Sequence, residues 1–380
     1  MEKSYGGIYI HIPFCIKKCK YCDFNSYYDK GHLIDQYFDC IVQDLRMSSP
    51  AMEGVDIASI YIGGGTPTII PAGHISRLVK ECARLFSTSS ALEITIEANP
   101  GTLDGRKLEC YKAAGINRLS IGLQACQDEL LRYLGRVHGY NQFEDNYYTA
   151  RDMGFRNISV DLMFGLPGQG MDDWLESVRK VIVLGVDHLS CYSLKIEKDT
   201  PFYSLYKKGE LKLPEEELDR QMYHTARTLL KNNGYLPYEI SNFSLPNKQC
   251  RHNILYWERG QYLGIGAGAH SFIGKTRFAK ERNIEEYIKC ITNRESGVVF
   301  EEVITPDWEI SETIILSLRL EKGIDVYWFN ERFGIDFLRD YQNQLKSLVD
   351  KGLLRIEGNR ILLTKRGLDL SNQVFIEFVP

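Results

Sequence analysis

Tyr9-Ile10-His11-Ile12-Pro13-Phe14-Cys15-Ile16-Lys17-Lys18-Cys19-Lys20-Tyr21-Cys22-Asp23-Phe24 is a strand-like apolar run that passes straight into three cysteines in the order C-x3-C-x2-C. Three thiolates on one short loop can hold three corners of an iron–sulfur cube and leave the fourth iron open to a ligand. A structural zinc site normally closes with four ligands, usually two pairs at C-x2-4-C spacing, and no second pair follows. Cys40 and His11 are the nearest candidates for a fourth ligand, and neither has zinc-ribbon spacing. A redox C-x-x-C made of Cys19 and Cys22 would leave Cys15 without a role. The pattern points first to a 4Fe–4S cluster on Cys15, Cys19 and Cys22, with zinc and redox chemistry as the alternatives.

Outward from this loop, short apolar runs alternate with amphipathic stretches. Strands are expected over Gly7–Phe14, Ala58–Gly63, Leu92–Ala98, Arg118–Leu123, Ile158–Phe164 and His188–Ile196, all rich in the residues of strands buried on both faces. Helical spacing falls between them, over Leu33–Leu45, Ile75–Leu85, Leu103–Ala114, Asn141–Met153 and Met171–Leu184, several ending before a glycine. Six strand–helix units imply a parallel sheet. They fall short of the eight units of a closed barrel. The fold class expected is therefore α/β, an incomplete (β/α)6 barrel. Ligands bind such sheets at the carboxyl ends of the strands, where the cysteine loop, Gly63-Gly64-Gly65-Thr66-Pro67, Glu97, Gln124, Asp161 and Lys195 all fall.

The pattern changes after Pro201. A helix is expected over Pro214–Asn233, and residues 235–275 are rich in glycine and aromatics without clear periodicity. Near residue 300 it shifts again, to three helices (Ser311–Arg319, Val326–Phe333, Leu338–Lys351) and a hairpin turning at Gly358-Asn359. The expected organisation is a partial barrel over 1–200, a barrel-associated extension over 201–300 and a winged-helix-like domain over 301–380. Such a domain can bind DNA, but the net charge is −4 and no basic block occurs, so no nucleic acid is expected. The chain has no run of 18 apolar residues, and Met1-Glu2-Lys3-Ser4-Tyr5 lacks the apolar core of a signal peptide. A cytoplasmic protein without an integral membrane segment is expected, with its other seven cysteines mostly buried thiols.

Gly63-Gly64-Gly65-Thr66-Pro67 directly follows a strand, and its glycines let a ligand approach the backbone. It lacks the Gly-Lys-Ser/Thr of a P-loop. With C-x3-C-x2-C after the first strand and G-G-G-T-P after the second, the chain resembles the radical S-adenosylmethionine superfamily. The resemblance implies that the open iron chelates S-adenosylmethionine and that one electron from a partner donor cleaves it to a 5′-deoxyadenosyl radical. The run from Tyr9 to Cys15, Glu97, Gly122-Leu123-Gln124, Arg136, the Asp161–Pro167 segment and Leu363-Thr364-Lys365-Arg366-Gly367 resemble the coproporphyrinogen-oxidase branch. By position that likeness implies Tyr9, Tyr21, Gly64, Gly65, Thr66, Glu97, Gln124, Arg136 and Asp161 as S-adenosylmethionine ligands. The residue types suit this. A guanidinium pairs with a carboxylate, and carboxylates suit an ammonium or hydroxyls.

Two details choose within the branch. Oxygen-independent coproporphyrinogen III oxidases carry a further cysteine two residues after the third, where this chain has Phe24. Tyr21-Cys22-Asp23-Phe24-Asn25-Ser26 instead resembles the HemW family of haem chaperones. So does His252-Asn253-Ile254-Leu255-Tyr256-Trp257, which fits that family's H-N-x-x-Y-W motif. The resemblance implies haem as a third cofactor, His252 as its contact with Cys250 as an alternative axial ligand, and apo-haemoproteins such as respiratory cytochromes as recipients. Read without the family, His252 and Asn253 cap a loop while Tyr256 and Trp257 pack. Gly264-Ile265-Gly266-Ala267-Gly268-Ala269 fits G-x-G-x-x-A with Glu285 about 20 residues on, but the strand–turn–helix context of a dinucleotide site is absent. A close-packed loop near the barrel mouth is expected there, with His270 within reach of S-adenosylmethionine.

Overall fold

A computed structural model describes residues 5–380; Met1–Ser4, part of the N-terminal reading above, lie outside the described residues. The six expected strands form as β1 (Tyr5–Ile12), β2 (Asp56–Gly64), β3 (Thr88–Ala98), β4 (Arg118–Gln124), β5 (Ile158–Phe164) and β6 (His188–Ser193). Each pairs in parallel with the next. All seven residues of β4 are buried, as a strand covered on both faces requires. Helices α1 (Ile34–Ser48), α2 (Ala72–Leu85), α3 (Gly105–Ala114), α4 (Asp128–Leu134), α5 (Tyr140–Asp152) and α6 (Met171–Leu184) make the crossovers. Gly115, Gly135 and Gly185 end three of them with positive φ, the left-handed C-cap that glycine adopts without a Cβ penalty.

The sheet is wider than six strands. Helices α7 (Pro201–Lys207) and α8 (Glu216–Asn232) lead to two short strands, β7 (Leu236–Pro237) and β8 (Asn242–Ser244), antiparallel on the β6 edge. Helix α9 (Arg251–Trp257) follows. Then β9 (Gln261–Ile265) pairs in parallel with β1, and β10 (His270–Ile273), β11 (Thr276–Lys280) and β12 (Val298–Val303) continue antiparallel beyond it. The order is β12-β11-β10-β9-β1-β2-β3-β4-β5-β6-β8-β7, an open sheet with β1 in its interior. The incomplete barrel is therefore the observed fold. Residues 261–303, which up to residue 275 showed no clear periodicity, supply one of its walls. Helix α10 (Ile284–Thr292) packs on α1 behind that wall.

One large core joins the sheet and its helices, and a separate core gathers Ile314, Phe329, Phe337, Leu348, Ile361 and Val374. The second belongs to α11 (Pro306–Arg319), the helices that follow it and a three-stranded sheet of β13 (Ile324–Asp325), β14 (Leu354–Glu357) and β15 (Arg360–Leu363). The hairpin turns at Gly358, φ 60°. The C-terminal unit is tied to the barrel by the Glu239–Leu320 bridge, by Arg227–Glu321 at 2.6 Å and by Arg259 against Glu309 and Glu312. Among the described residues no helix is long and apolar enough to cross a membrane.

Candidate functional site

β1 ends at Ile12, and Pro13 and Phe14 carry the chain over the sheet edge into the cysteine loop. Four backbone hydrogen bonds hold the loop. Cys15 N–H donates to Tyr27 O (2.9 Å), Tyr27 N–H to Pro13 O (2.7 Å), Cys22 N–H to Cys19 O (3.2 Å), and Lys20 N–H to Leu134 O (2.9 Å). All three cysteines are free thiols, half-buried at the carboxyl end of the sheet. Burial pushes the Cys15 thiol up and the Cys22 thiol up to about 11. The Arg136 guanidinium donates to Cys19 Sγ at 3.6 Å, and the Thr66 hydroxyl donates to Cys15 Sγ at 3.6 Å. Among the described residues no three His, Cys, Asp or Glu side chains are placed to hold a single metal ion. A cube does not need its thiolates to converge on one point, since each takes a different corner iron.

The glycine loop is stitched to the entry of the cysteine loop. Gly65 N–H donates to Ile12 O and Thr66 N–H to Phe14 O, both at 2.8 Å. A Cβ on Gly65 would stand 2.6 Å from Phe14 O, so no other residue permits this approach. Gly64 has φ 110° and faces the His11 ring, where a Cβ would meet Cε1 at 2.4 Å. Its N–H donates to Glu97 Oε2 at 2.9 Å, and the Tyr61 hydroxyl donates to Oε1 at 2.8 Å. Burial holds the Glu97 carboxyl up at about 7, with those two hydrogen bonds pulling the other way.

Arg136, beyond α4, is half-buried beside the loop. It donates to Asn99 Oδ1 and Gly122 O, both at 2.6 Å, and Asn99 donates in turn to Thr66 Oγ1 at 2.7 Å. Its Nε is buried without a partner. Gln124 sits at φ 75°, where the β4–β5 register shifts; such strained backbone clusters at functional sites. Asp161 is half-buried next to Ser120, and desolvation raises its carboxyl.

Some of the expected residues line two hollows, and Cys15, Cys22, Gln124 and Asp161 line neither. The larger, about 590 Å³, is lined by Tyr9, Gly64 and Glu97 on one side and by Tyr256, Tyr262 and His270 on the other. The smaller, about 20 Å³, is lined by Cys19, Thr66 and Arg136. Gly65 lies between Gly64 and Thr66 and belongs to the seam of the two. Tyr21 packs instead against the apolar group of Ala125, Leu131, Met163 and Phe202.

The profile of the Radical SAM superfamily matches residues 9–181, and that of the HemN C-terminal domain matches residues 304–370. A Bacillus subtilis protein named "Heme chaperone HemW" is 38% identical over 374 residues, 98% of each chain. The chain belongs to the HemW family. A Lactococcus lactis HemW is 35% identical over 379 residues, covering 100% of this chain and 98% of its own. The solved structure of Escherichia coli coproporphyrinogen III oxidase, HemN, described as a radical SAM enzyme, superposes with a TM-score of 0.86 at 24% identity, over 99% of this chain and 90% of that one. That likeness shows the fold.

The HemW-type H-N-x-x-Y-W segment is helix α9. His252, expected at the haem contact, is buried with both ring nitrogens engaged. Nδ1 lies 2.8 Å from Ser59 Oγ and Nε2 2.8 Å from the Tyr256 hydroxyl. Its ring stacks on Tyr61 at 5.2 Å, and Tyr61 in turn holds Glu97. Burial pulls this imidazole down to about 3, so it is neutral. Cys250, the alternative ligand, is equally buried, with its thiol pushed up to about 12. Trp257 packs under the Arg319 guanidinium at 4.4 Å. Of the motif's aromatics, Tyr256 lines the large hollow. His252 is thus a support for the Tyr61–Glu97 wall. His252→Ala leaves the Ser59 and Tyr256 hydroxyls without their partner. The expected loss is about 1–3 kcal/mol of stability, read by thermal denaturation, with the absorption spectrum of bound haem unchanged. A shifted haem spectrum at full stability would reverse this assignment.

Composition and spacing did not single out Tyr61 or Arg118. Tyr61 lies two residues before Gly63 on β2, so period-2 alternation places it on the face of that glycine. Arg118, buried at the start of β4 with Nε and Nη1 unpartnered, carries no sequence signal beyond its residue type.

Proposed function

We propose that this chain is a haem chaperone that holds a 4Fe–4S cluster on Cys15, Cys19 and Cys22, binds S-adenosylmethionine beside it, and passes haem to apo-haemoproteins such as respiratory cytochromes. Full-length kinship with HemW proteins carries the reading, and two local observations support it. The residues suit the cofactors. Gly64 and Gly65 form a cradle that a Cβ would fill, and Arg136, whose Nε is buried without a partner, lines a hollow beside Cys19 where its guanidinium could pair with a carboxylate. Phe24, in place of the oxidase's further cysteine, stands 62% exposed at the mouth of the large cavity, offering apolar surface to a flat ligand.

When bound and reduced by a partner donor, the cluster supplies one-electron chemistry toward S-adenosylmethionine. The chain's own residues bind and orient. Tyr9, Gly64, Gly65 and Glu97 would hold the amino end of that cofactor, and Arg136 would take its carboxylate, with the guanidinium fixed by Asn99, which in turn bonds Thr66. Gln124 and Asp161 would complete the set from β4 and β5, with Tyr21 packed behind the cluster loop.

Anaerobic haem titration of the reconstituted protein, followed by transfer to an apo-cytochrome, tests the reading. Haem moves to the apo-protein and its activity appears. Multiple-turnover conversion of coproporphyrinogen III to protoporphyrinogen IX would overturn it in favour of an oxidase.

Glu97 makes S-adenosylmethionine binding pH-dependent. An ammonium pairs with the carboxylate and not with the acid, so affinity falls as the pH drops through about 7. Stability without ligand runs the other way. A carboxyl held above its usual value contributes stability below the ordinary carboxylate range and loses it as the pH rises through about 7. Glu97→Gln removes the pH dependence and weakens binding by about 1.5–3 kcal/mol, the worth of a charged hydrogen bond. Calorimetric titration on either side of neutrality reads both effects. An unchanged pH profile in the variant would exclude Glu97 as the titrating group.

A further inference from the structure

The large cavity of about 590 Å³ lies within the range of about 300–1,000 Å³ that holds cofactor-sized ligands. Haem iron takes its axial ligand from His, Cys, Met or Tyr. The cavity wall carries two histidines and three tyrosines, and no cysteine or methionine lines it. His11 is spent, with Nδ1 2.9 Å from the Tyr9 hydroxyl and Nε2 2.8 Å from Asn25 O. Tyr9, Tyr256 and Tyr262 are half-buried phenols whose ionisation desolvation pushes upward, so they wall the cavity as neutral rings. Tyr256 and Tyr262 meet edge to face at 4.5 Å.

His270 remains. It is the first residue of β10, is exposed, and among the described residues its ring has no hydrogen-bond partner. Antiparallel pairing sets it opposite Ala279, a small residue that also lines the cavity and leaves room beside the imidazole. The rim is apolar at two points, Phe24 at 62% and Val299 at 61% exposure. Two cations line the cavity. Lys280 is committed to Asp44 and Ser296 O, both at 2.7 Å. Arg282 is exposed and has only a 3.5 Å contact from its guanidinium, to Asp23 O. One free imidazole, an aromatic wall, an apolar rim and one free guanidinium match iron, porphyrin face and propionate in turn.

We propose that His270 is the axial ligand through which this chain holds haem, with the porphyrin across the cavity mouth between Phe24 and Val299 and a propionate on Arg282. The assignment rests on the haem-carrying reading above and moves the ligand from helix α9 to strand β10. It also places the cargo in the same cavity as Tyr9, Gly64 and Glu97, so haem and S-adenosylmethionine bind as neighbours across one space.

Haemin titration of the full chain tests it, read by absorption, with wild type, His270→Ala, His270→Cys, Arg282→Ala and His252→Ala in parallel. His270 is exposed at a strand end, so its variants keep the fold. His270→Ala loses the wild-type Soret position and binds about tenfold or more weakly. His270→Cys regains affinity with a thiolate-type spectrum. Arg282→Ala weakens binding without moving the band, and His252→Ala leaves the band in place. A His270→Ala protein that titrates like wild type overturns the inference while the haem-carrying reading stands. A wild type that takes up no haem overturns both. A band that moves in His252→Ala and not in His270→Ala returns the ligand to the motif histidine.

Discussion

Cys19→Ala eliminates the broad visible absorption of the reconstituted protein together with its iron and sulfide. Two thiolates would remain for a cube that needs three, and no histidine or carboxylate among the described residues is placed to join them at a common metal. The loss is chemical and not a collapse of the loop. Lys20 N–H still bonds Leu134 O, and Phe202 N–H still bonds Lys20 O at 3.0 Å, whatever side chain stands at position 19. Cys19 is also the thiol that Arg136 faces at 3.6 Å. Removing it frees the guanidinium, so the variant differs from wild type in S-adenosylmethionine affinity even before reconstitution. Cys82→Ala is the control, since that thiol is buried in α2 within the main core and far from this loop in the fold. Iron and sulfide analysis after anaerobic reconstitution decides. A Cys19→Ala protein with a full complement of both would refute the ligand assignment.

Lys280→Met destabilises the fold by about 3–5 kcal/mol, the cost of stranding a buried charge. Lys280 is 3% exposed and its partner Asp44 not at all. The carboxylate takes Lys280 Nζ at 2.7 Å and Ser48 Oγ at 2.9 Å on Oδ1, and the Tyr287 hydroxyl at 2.7 Å on Oδ2. Four elements meet there: α1 through Asp44 and Ser48, β11 through Lys280, α10 through Tyr287, and the segment after α10 through Ser296 O. Removing the ammonium leaves the acid in a site that has no access to water. The double variant Asp44→Leu with Lys280→Met removes both charges and recovers most of the loss, because a desolvated pair is worth little net against packed apolar groups. Denaturant midpoints of the three proteins separate the cases. A single variant as stable as wild type would mean that the pair carries no structural weight.

The barrel strands were legible because parallel strands covered on both faces must be apolar nearly throughout, and Ile158–Phe164 and Met171–Leu184 match the observed elements end to end. β9 to β12 were not. Gly264 interrupts β9 because a Cβ there would meet His270 O at 2.0 Å, and the strands beyond it are antiparallel and partly exposed, so no apolar run marks them. Helices α4 and α7 are seven residues each, too short for periodicity to show. For α7 a signal did exist in Thr200-Pro201, a capping hydroxyl followed by proline at the first position. The cysteine and glycine loops could be read because their spacing is itself the chemistry. The supporting hydroxyls of Tyr61 and Ser59 could not, since they are known only by whom they bond. His252 shows the same limit from the other side. Residue type marks it as able to bind iron, but only geometry shows that both its nitrogens are already taken.

β1 has a history that its place in the sheet dictates. Residues 5–12 are made before both of their partner strands, and β2 can pair with one side of them after some fifty more residues. The other side waits for β9, whose pairing of Gly6–Ile10 with Gln261–Ile265 spans a separation of about 255 residues. Until then Ile8 and Ile10 sit on an open strand edge, the kind of surface that recruits other chains. Contacts so distant in sequence are slow to close. The loop that begins two residues after β1 therefore acquires its final anchorage among the last events of folding, and cluster loading follows synthesis of the barrel's final wall. A nascent chain stalled before residue 261 would hold all three cysteines and still lack the site.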